Sequence, residues 1–413
     1  MESSTKPNII IVGGGYAGVQ VAQDLDKSLS RTHQIILIEK KTHFYHAVGS
    51  LRAMVEENFE EKILVPYTLL LKNGGKVVHA SVTEIHKNEV IVDTETEWGT
   101  SIPFEYLILA TGSSYAAPAK VDKTTKEEIV SEIGKRRDAV KNSNKILIIG
   151  GGAVGIELAG ELATVYKEKT ITLVHAGETL LHPKFPKKLR DDLYKQLKDL
   201  NVNVIFGEKL VLPEGGLGDG VTYKKLQTNK GTTIESDVQF FAIGAKPNTS
   251  LVKTLDASLL EEKTNLIKVT PTLQLEHEEF KHMFAVGDVT NIDETKMAYR
   301  AGLQAAVVTK NVEALISKKK LTEYQPPSEV IVVTIGKTGG AGLLPMFGGL
   351  VVGPFLVKNL KGKDLFLGKY WKQITGEAFP SLASAKAAFP ANAVVPVIAT
   401  FVTVISYTLY YIL

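Results

Sequence analysis

Two glycine triplets are the places where this chain could meet a phosphate. Gly13-x-Gly15-x-x-Gly18, with Gly14 inside it, and Gly150-x-Gly152-x-x-Gly155 each follow a short apolar run and precede a helical pattern. Glycines at that spacing permit a tight turn and let the backbone approach a pyrophosphate lying on the helix N-terminus, where free N–H groups favour negative charge. The acids that should accompany them differ. Glu39 ends the apolar run Gln34-Ile-Ile-Leu-Ile-Glu39, 21 residues after Gly18, where a carboxylate can bind ribose hydroxyls. In the second copy the corresponding run, Thr170-Ile-Thr-Leu-Val-His175, ends on His175. An acid there repels a 2′-phosphate and an arginine attracts one. Histidine does neither strongly, so NADH and NADPH both stay open.

Other chemistries are excluded or unsupported. The chain has no cysteine, which removes thiol nucleophiles, redox dithiols and cysteine-ligated metal clusters. Nine histidines show no H-E-x-x-H or comparable spacing, so no metal is expected, and no G-x-S-x-G elbow is present. Lys plus Arg number 48 against 45 acids, and a net charge of +3 gives nucleic-acid binding little electrostatic support. Any redox chemistry must use a bound cofactor.

The elements that position these residues repeat. With 413 residues the chain is long enough for two to three domains. Strand, glycine turn, helix and strand recur 137 residues apart, which is a duplicated dinucleotide-binding unit. Tyr106-Leu-Ile-Leu-Ala110-Thr111-Gly112 closes the leading part of the first unit and Phe240-Phe-Ala-Ile-Gly244 closes the second. His282-Met-Phe-Ala-Val-Gly-Asp288 follows, then a helical pattern from about Lys296 to Leu315. The predicted fold is α/β, with two Rossmann-like domains, a small mainly β C-terminal domain and an apolar C-terminal segment. The predicted division is 1–120 with 270–325, then 121–269, then 326–380, then 387–413. Strands are predicted at Val330–Thr334, Leu350–Val352 and Phe355–Val357.

The last segment has its own chemistry. After Lys386 there are 27 residues without a charge, and Ala393–Leu413 supplies 21 predominantly apolar ones. A helix of that length spans roughly 31 Å, near the thickness of a bilayer core. Tyr407, Tyr410 and Tyr411 would fall at the far interface, with Lys358, Lys361, Lys363, Lys369, Lys372 and Lys386 on the near side. The expectation is a tail anchor; Pro396 and the β-branched residues are the argument for a buried strand or helix instead. No signal peptide is expected from the residues after Met1, and with Glu2 in second place no N-myristoylation is expected.

GGGxxG, Ala110-Thr-Gly112, GGGxxGxE, Ile243-Gly244 and Gly287-Asp288, in that order, resemble the two-dinucleotide-binding-domain flavoproteins. Phe44-Tyr-His46, Leu51-Arg-Ala53, Lys296-Met-Ala-Tyr299, Lys361-Gly-Lys-Asp-Leu-Phe366 and Tyr370-Trp-Lys372 resemble the ferroptosis-suppressor branch. This branch is apoptosis-inducing-factor-like and mitochondrion-associated, with type II NADH dehydrogenases as more distant relatives. The resemblance implies FAD contacts from Gly13, Gly14, Gly15, Ala17, Gly18, Glu39, Lys40, Arg52, Val82, Ala110, Thr111, Gly112, Asp288, Lys296, Met297 and Ala298. It implies a nicotinamide coenzyme on Gly150, Gly152, Gly155, Glu157, His175 and Gly244. Several of these residues have plainer readings. Asp288 could be a helix N-cap, Lys296 a solvated lysine, and Arg52 a surface salt bridge instead of a grip on the diphosphate. His46 could be structural, Glu157 sits well at a helix start by dipole alone, and Val82 reads only as strand.

The resemblance further implies an FAD-dependent NADH or NADPH:quinone oxidoreductase, with Glu157, Lys296, Lys361 and Phe366 as its catalytic residues. Lys361 and Phe366, with Trp371, would position a quinone ring and supply a proton; their alternative is a packed core with surface lysines. The expected location is the cytoplasmic face of an intracellular membrane (mitochondrial outer membrane, endoplasmic reticulum or lipid droplet), otherwise the cytoplasm. The alternative function is a redox signalling flavoprotein of the apoptosis-inducing type. The sequence names no protein partner.

Overall fold

Ile9, Ile10 and Ile11 are wholly buried, as are Ile146, Leu147 and Ile148 to within 1% exposure, because each run lies at the centre of a parallel sheet covered on both faces. In the computed structural model, which describes residues 6–379, the first sheet runs Met283–Ala285, Tyr106–Leu109, Asn8–Val12, Gln34–Glu39, Lys76–His79, all parallel. The second runs Asn203–Phe206, Thr170–His175, Lys145–Ile149, Val238–Phe241, also all parallel. Each glycine strand leads into a helix, Tyr16–Leu29 in the first unit and Ala153–Val165 in the second.

The duplication extends past the motif. Directly before Tyr106–Leu109 and before Val238–Phe241, the chain inserts a three-stranded antiparallel meander: Val82–Ile85, Glu89–Val92, Ser101–Pro103 in one unit, and Leu210–Val211, Lys224–Thr228, Thr233–Ser236 in the other. The chain leaves the first sheet at Tyr106–Leu109, builds the second, and returns to add Met283–Ala285. The two crossings touch as a short antiparallel pair, Ser113–Ser114 with Lys246–Pro247.

The helix expected from Lys296 begins at Ala298 and runs to Ile316, with Met297 extended at its N-cap. After it come three antiparallel strands, Ile331–Ile335, Gly339–Leu344 and Leu350–Val352. The mainly β expectation holds only to that point. Phe355–Val357, read as a strand, lies in the helical turn Pro354–Val357, which runs on through a wide turn at Lys358–Gly362 to the helix Leu367–Thr375. Pro354 has no N–H for a ladder and its fixed φ suits a helix start. Val357 and Leu360, three apart, then land on one apolar cluster with Val330, Leu344 and Val352.

This third segment is seated on both units. A Cβ at Gly160 of the second glycine helix would lie 2.7 Å from Ile335 Cα, so strand and helix backbones touch there. Trp371 Nε1 donates to Lys62 O at 2.8 Å, and Tyr370 stands in the core of the first unit. No helix among the described residues is long and apolar enough to cross a membrane, and the apolar tail 387–413 lies outside the described residues.

Candidate functional site

Gly13 and Gly14 are fixed by protein, and Gly15 is not. Gly13 has φ +104, and a Cβ there would meet Ala110 O at 2.5 Å. Gly14 is held from both sides: its N–H donates to Glu39 Oε2 at 2.5 Å, and Tyr67 OH donates to its carbonyl at 2.7 Å. The other Glu39 oxygen accepts from Lys41 N at 2.8 Å, which sets the carboxylate at the end of its strand. Gly18 abuts the Gly13 carbonyl, the close helix–turn approach that only glycine allows. A Cβ on Gly15 would meet nothing within 4 Å, because that position opens into a cleft of ≈ 540 Å³. Gly13, Gly14, Gly15, Glu39, Lys40, Val82, Ala110, Thr111 and Gly112 all line this cleft. A glycine turn on a helix start, open to a cleft with a carboxylate at its rim, fits a dinucleotide.

The second cradle repeats the glycine geometry of the first. Gly150 has φ +118 and faces Ala242 O as Gly13 faces Ala110 O; Gly155 abuts the Gly150 carbonyl; Gly152, like Gly15, faces open space. Where Glu39 accepts from Gly14 N, His175 Nδ1 accepts from Gly151 N at 3.1 Å. That bond leaves the ring proton on Nε2, and burial lowers the His175 pKa, so the group is neutral. Gly244, with φ +71, follows the closing strand of this unit. His175 therefore does the backbone work of Glu39 without its charge.

Asp288 reaches the first site through protein neighbours. Ser113 Oγ donates to Asp288 Oδ2 at 2.6 Å, and Lys120 Nζ stands 3.9 Å from that oxygen; Ser113 and Lys120 both line the cleft. The turn carrying Asp288 packs on the first glycine helix: a Cβ on Gly287 would come 3.7 Å from Ala17 Cβ. Lys296 is differently employed from expectation. Its ammonium donates to the carbonyls of Thr290 and Ile292, at 2.8 and 2.9 Å, clamping the Asp288 loop, and burial lowers its pKa. Met297 and Ala298 begin the helix behind that clamp.

Arg52 is a correction. Its side chain is 1% exposed, and both Nε and Nη2 donate to Glu161 Oε1, at 3.1 and 2.8 Å, while Nη1 donates to Lys363 O. The guanidinium is committed to a carboxylate of the second glycine helix and to the Lys363 carbonyl, and Arg52 does not line the cleft. Burial raises the Glu161 pKa, with Arg52 opposing the shift.

Glu157 and Lys361 come together. Lys361 Nζ donates to Glu157 Oε1 at 2.6 Å and to Val332 O at 3.1 Å; the same carboxylate oxygen accepts from Thr334 N at 3.0 Å. Phe366 is elsewhere, in the core of the first unit with Phe44 and Tyr370. It and Leu365 both have φ in the left-handed region, at 62° and 52°. His46, 0% exposed, donates from Nε2 to Leu365 O at 2.6 Å, so its Nδ1 accepts from Tyr16 OH at 3.2 Å. Tyr16 lines the cleft, and its ring stands 4.9 Å from that of Tyr370.

Sequence reasoning missed Tyr16, Tyr45, Tyr67, Lys120 and Asn248, all in the cleft wall. Tyr16 and Tyr45 had a local signal, lying within the first glycine motif and the Phe44-Tyr-His46 run; the others arrive from distant loops. Among the described residues, no three metal-ligating side chains cluster.

A family model described as pyridine nucleotide-disulphide oxidoreductase matches residues 7–305. The chain is 32% identical over 392 residues to apoptosis-inducing factor homolog B of Dictyostelium discoideum, covering 90% of this chain and 98% of that protein. It is 30% identical over 372 residues to ferroptosis suppressor protein 1 of Homo sapiens, covering 88% and 95%. Among solved structures, the sulfide:quinone oxidoreductase of Aquifex aeolicus is similar in fold, with a TM-score of 0.69 at 18% identity over 92% of this chain and 94% of that one.

Proposed function

The chain belongs to the pyridine nucleotide-disulphide oxidoreductase family, and from that premise we propose that it is an NADH- or NADPH-dependent quinone reductase working at a membrane surface. It is an oxidoreductase that uses FAD and a nicotinamide coenzyme. With no cysteine in the chain, its acceptor chemistry is not that of an internal disulfide. What FAD supplies when bound is two-electron chemistry linking a nicotinamide donor to an acceptor. The first cradle, with Glu39, Lys40 and the Ala110–Gly112 turn, is the FAD site of this reading. The second, with Gly152 and His175, is the coenzyme site.

One observation carries the acceptor assignment: the 354–375 run reaches both cradles at once. Lys361 stands on Glu157 of the second glycine helix, and Tyr370 stands on Tyr16 of the first. An acceptor held by this run would lie between the two cofactor sites. Lys361 is the group placed to hold or deliver a proton there, and Glu157 fixes its ammonium. Relatives carrying the name ferroptosis suppressor protein 1 and the fold neighbour named sulfide:quinone oxidoreductase support a quinone as that acceptor.

Separate half-reactions test this. Lys361→Ala should slow turnover of a short-chain quinone by about a hundred-fold or more, the scale of a lost proton donor, while anaerobic bleaching of the flavin band by NADH keeps its rate. Equal loss in both halves overturns the acceptor assignment.

A further inference from the structure

The most exposed large apolar side chain among the described residues is Phe347, at 92%. It sits at the tip of the hairpin between Gly339–Leu344 and Leu350–Val352, with φ 51, followed by Gly348 and Gly349 at φ +78 and +118. Phe355 is 68% exposed and Leu350 40%. These three belong to one end of the third sheet, because Met346 and Leu356, the neighbours of the two phenylalanines, pack on the same small cluster as Val352 and Val357. An exposed aromatic on a left-handed tip serves neither stability nor solubility, and such a patch marks a contact surface.

Charge indicates what it contacts. From Val330 to Lys363 the chain has four lysines, Lys337, Lys358, Lys361 and Lys363, and no acid. Lys358 follows Phe355 by three residues, which puts both on one helical face. Neither Lys358 nor Lys363 enters an ion pair among the described residues. The acids nearest in sequence are engaged: Glu329 pairs with Lys184 and Arg300, and Asp364 accepts from Phe366 N. The helix packed along this sheet, Lys187–Asp199, answers each of its three aspartates with a lysine one turn away. With Lys337 paired to Glu56 and Lys361 to Glu157, Lys358 and Lys363 are the lysines of this stretch left to meet an anionic surface. Aromatic rings beside lysines, without acids, suit the boundary between acyl chains and anionic headgroups.

We propose that the 345–350 tip and the Pro354–Val357 turn insert into an anionic lipid surface, as a membrane contact separate from the apolar tail. Phe347, Leu350 and Phe355 enter the acyl boundary, and Lys358 and Lys363 lie on the headgroups. The contact turns the same segment that carries Lys361 toward the bilayer. It deepens the quinone-reductase reading by fixing which face of the protein meets the membrane.

The absence of cysteine makes the test direct. In the full chain loaded with FAD, Phe347→Cys, Phe355→Cys and, as a control on another face, Tyr194→Cys are each labelled with an environment-sensitive fluorophore. Vesicles of phosphatidylcholine with phosphatidylserine should raise and blue-shift emission at 347 and 355 but not at 194. Brominated acyl chains should quench the first two, and pure phosphatidylcholine should give a smaller change. Emission at 347 and 355 that stays water-like with vesicles overturns the proposal. A signal already blue-shifted without vesicles overturns it too, and shows the patch covered by the chain's own tail or a second copy. Turnover of a water-soluble quinone by the same labelled proteins is read alongside. Absence of that turnover in the unlabelled full chain counts against the quinone-reductase reading and leaves the surface result standing.

Discussion

Gly14 and Gly15 are neighbours with opposite surroundings, and their substitutions should separate folding from binding. A Cβ at Gly14 would meet Tyr67 OH at 2.5 Å and Glu39 Cγ at 3.0 Å, whereas one at Gly15 meets nothing. Gly14→Ala should lower the melting temperature and FAD content together. Gly15→Val should leave the melting temperature of the FAD-free protein unchanged and lower FAD content at least about ten-fold, read by absorbance after gel filtration. Gly152→Val should spare FAD and raise the KM for the coenzyme. His46 gives a pH dependence. Burial, with Lys361 adding to it, lowers its pKa to about 4 from 6.5, while its bond to Leu365 O opposes the shift. The unfolded chain therefore binds a proton between about pH 6.5 and 4 that the folded chain refuses. The stability this represents is fully present above pH 6.5 and drains away as the pH falls through that window. Urea midpoints should fall less steeply with acidification across it in His46→Gln than in the parent chain.

The second glycine helix, Ala153–Val165, ties the elements together through two acids one turn apart on the same face. Glu157 is held by Lys361 from the third segment, and Glu161 by Arg52 from the first unit. Removing one partner of such a buried pair costs roughly 3–5 kcal/mol, because the survivor keeps its desolvation penalty. Arg52→Leu should therefore destabilise by about that much, and Arg52→Leu with Glu161→Leu should regain most of it, as a denaturant double-mutant cycle would show. Nothing around Arg52 in the sequence reveals this, since Glu161 is 109 residues away and a guanidinium fork suits a phosphate equally well. Lys296 misled for the same reason: a loop clamp and a ligand contact demand the same side chain. The glycine cradles were legible because turn, helix start and strand-end acid all lie within one local stretch. The strand read at Phe355–Val357 failed because three apolar residues carry no period, and Pro354 decides the matter only once a helix start is considered.

At the scale of the molecule, the first sheet is interrupted: its edge strand, Met283–Ala285, is encoded after the entire second unit. The turn bearing Asp288 and the helix Ala298–Ile316 that backs the first glycine helix come later still. During synthesis, then, the order of completion is inverted. The second unit has all four of its sheet strands once Phe241 has emerged, while the first still shows the bare edge of Tyr106–Leu109. At 5–20 residues per second, that edge waits roughly 10–35 s for its partner. An open hydrophobic strand edge is a template for aggregation, so these seconds are the vulnerable interval of the chain's life. Ribosome-stalled chains ending before Met283 should retain no FAD and recruit chaperones, and chains long enough to expose Ile316 outside the ribosome should hold the cofactor, as fluorescence of purified nascent complexes would report. Topology thus makes FAD capture a signal that synthesis has passed its riskiest point.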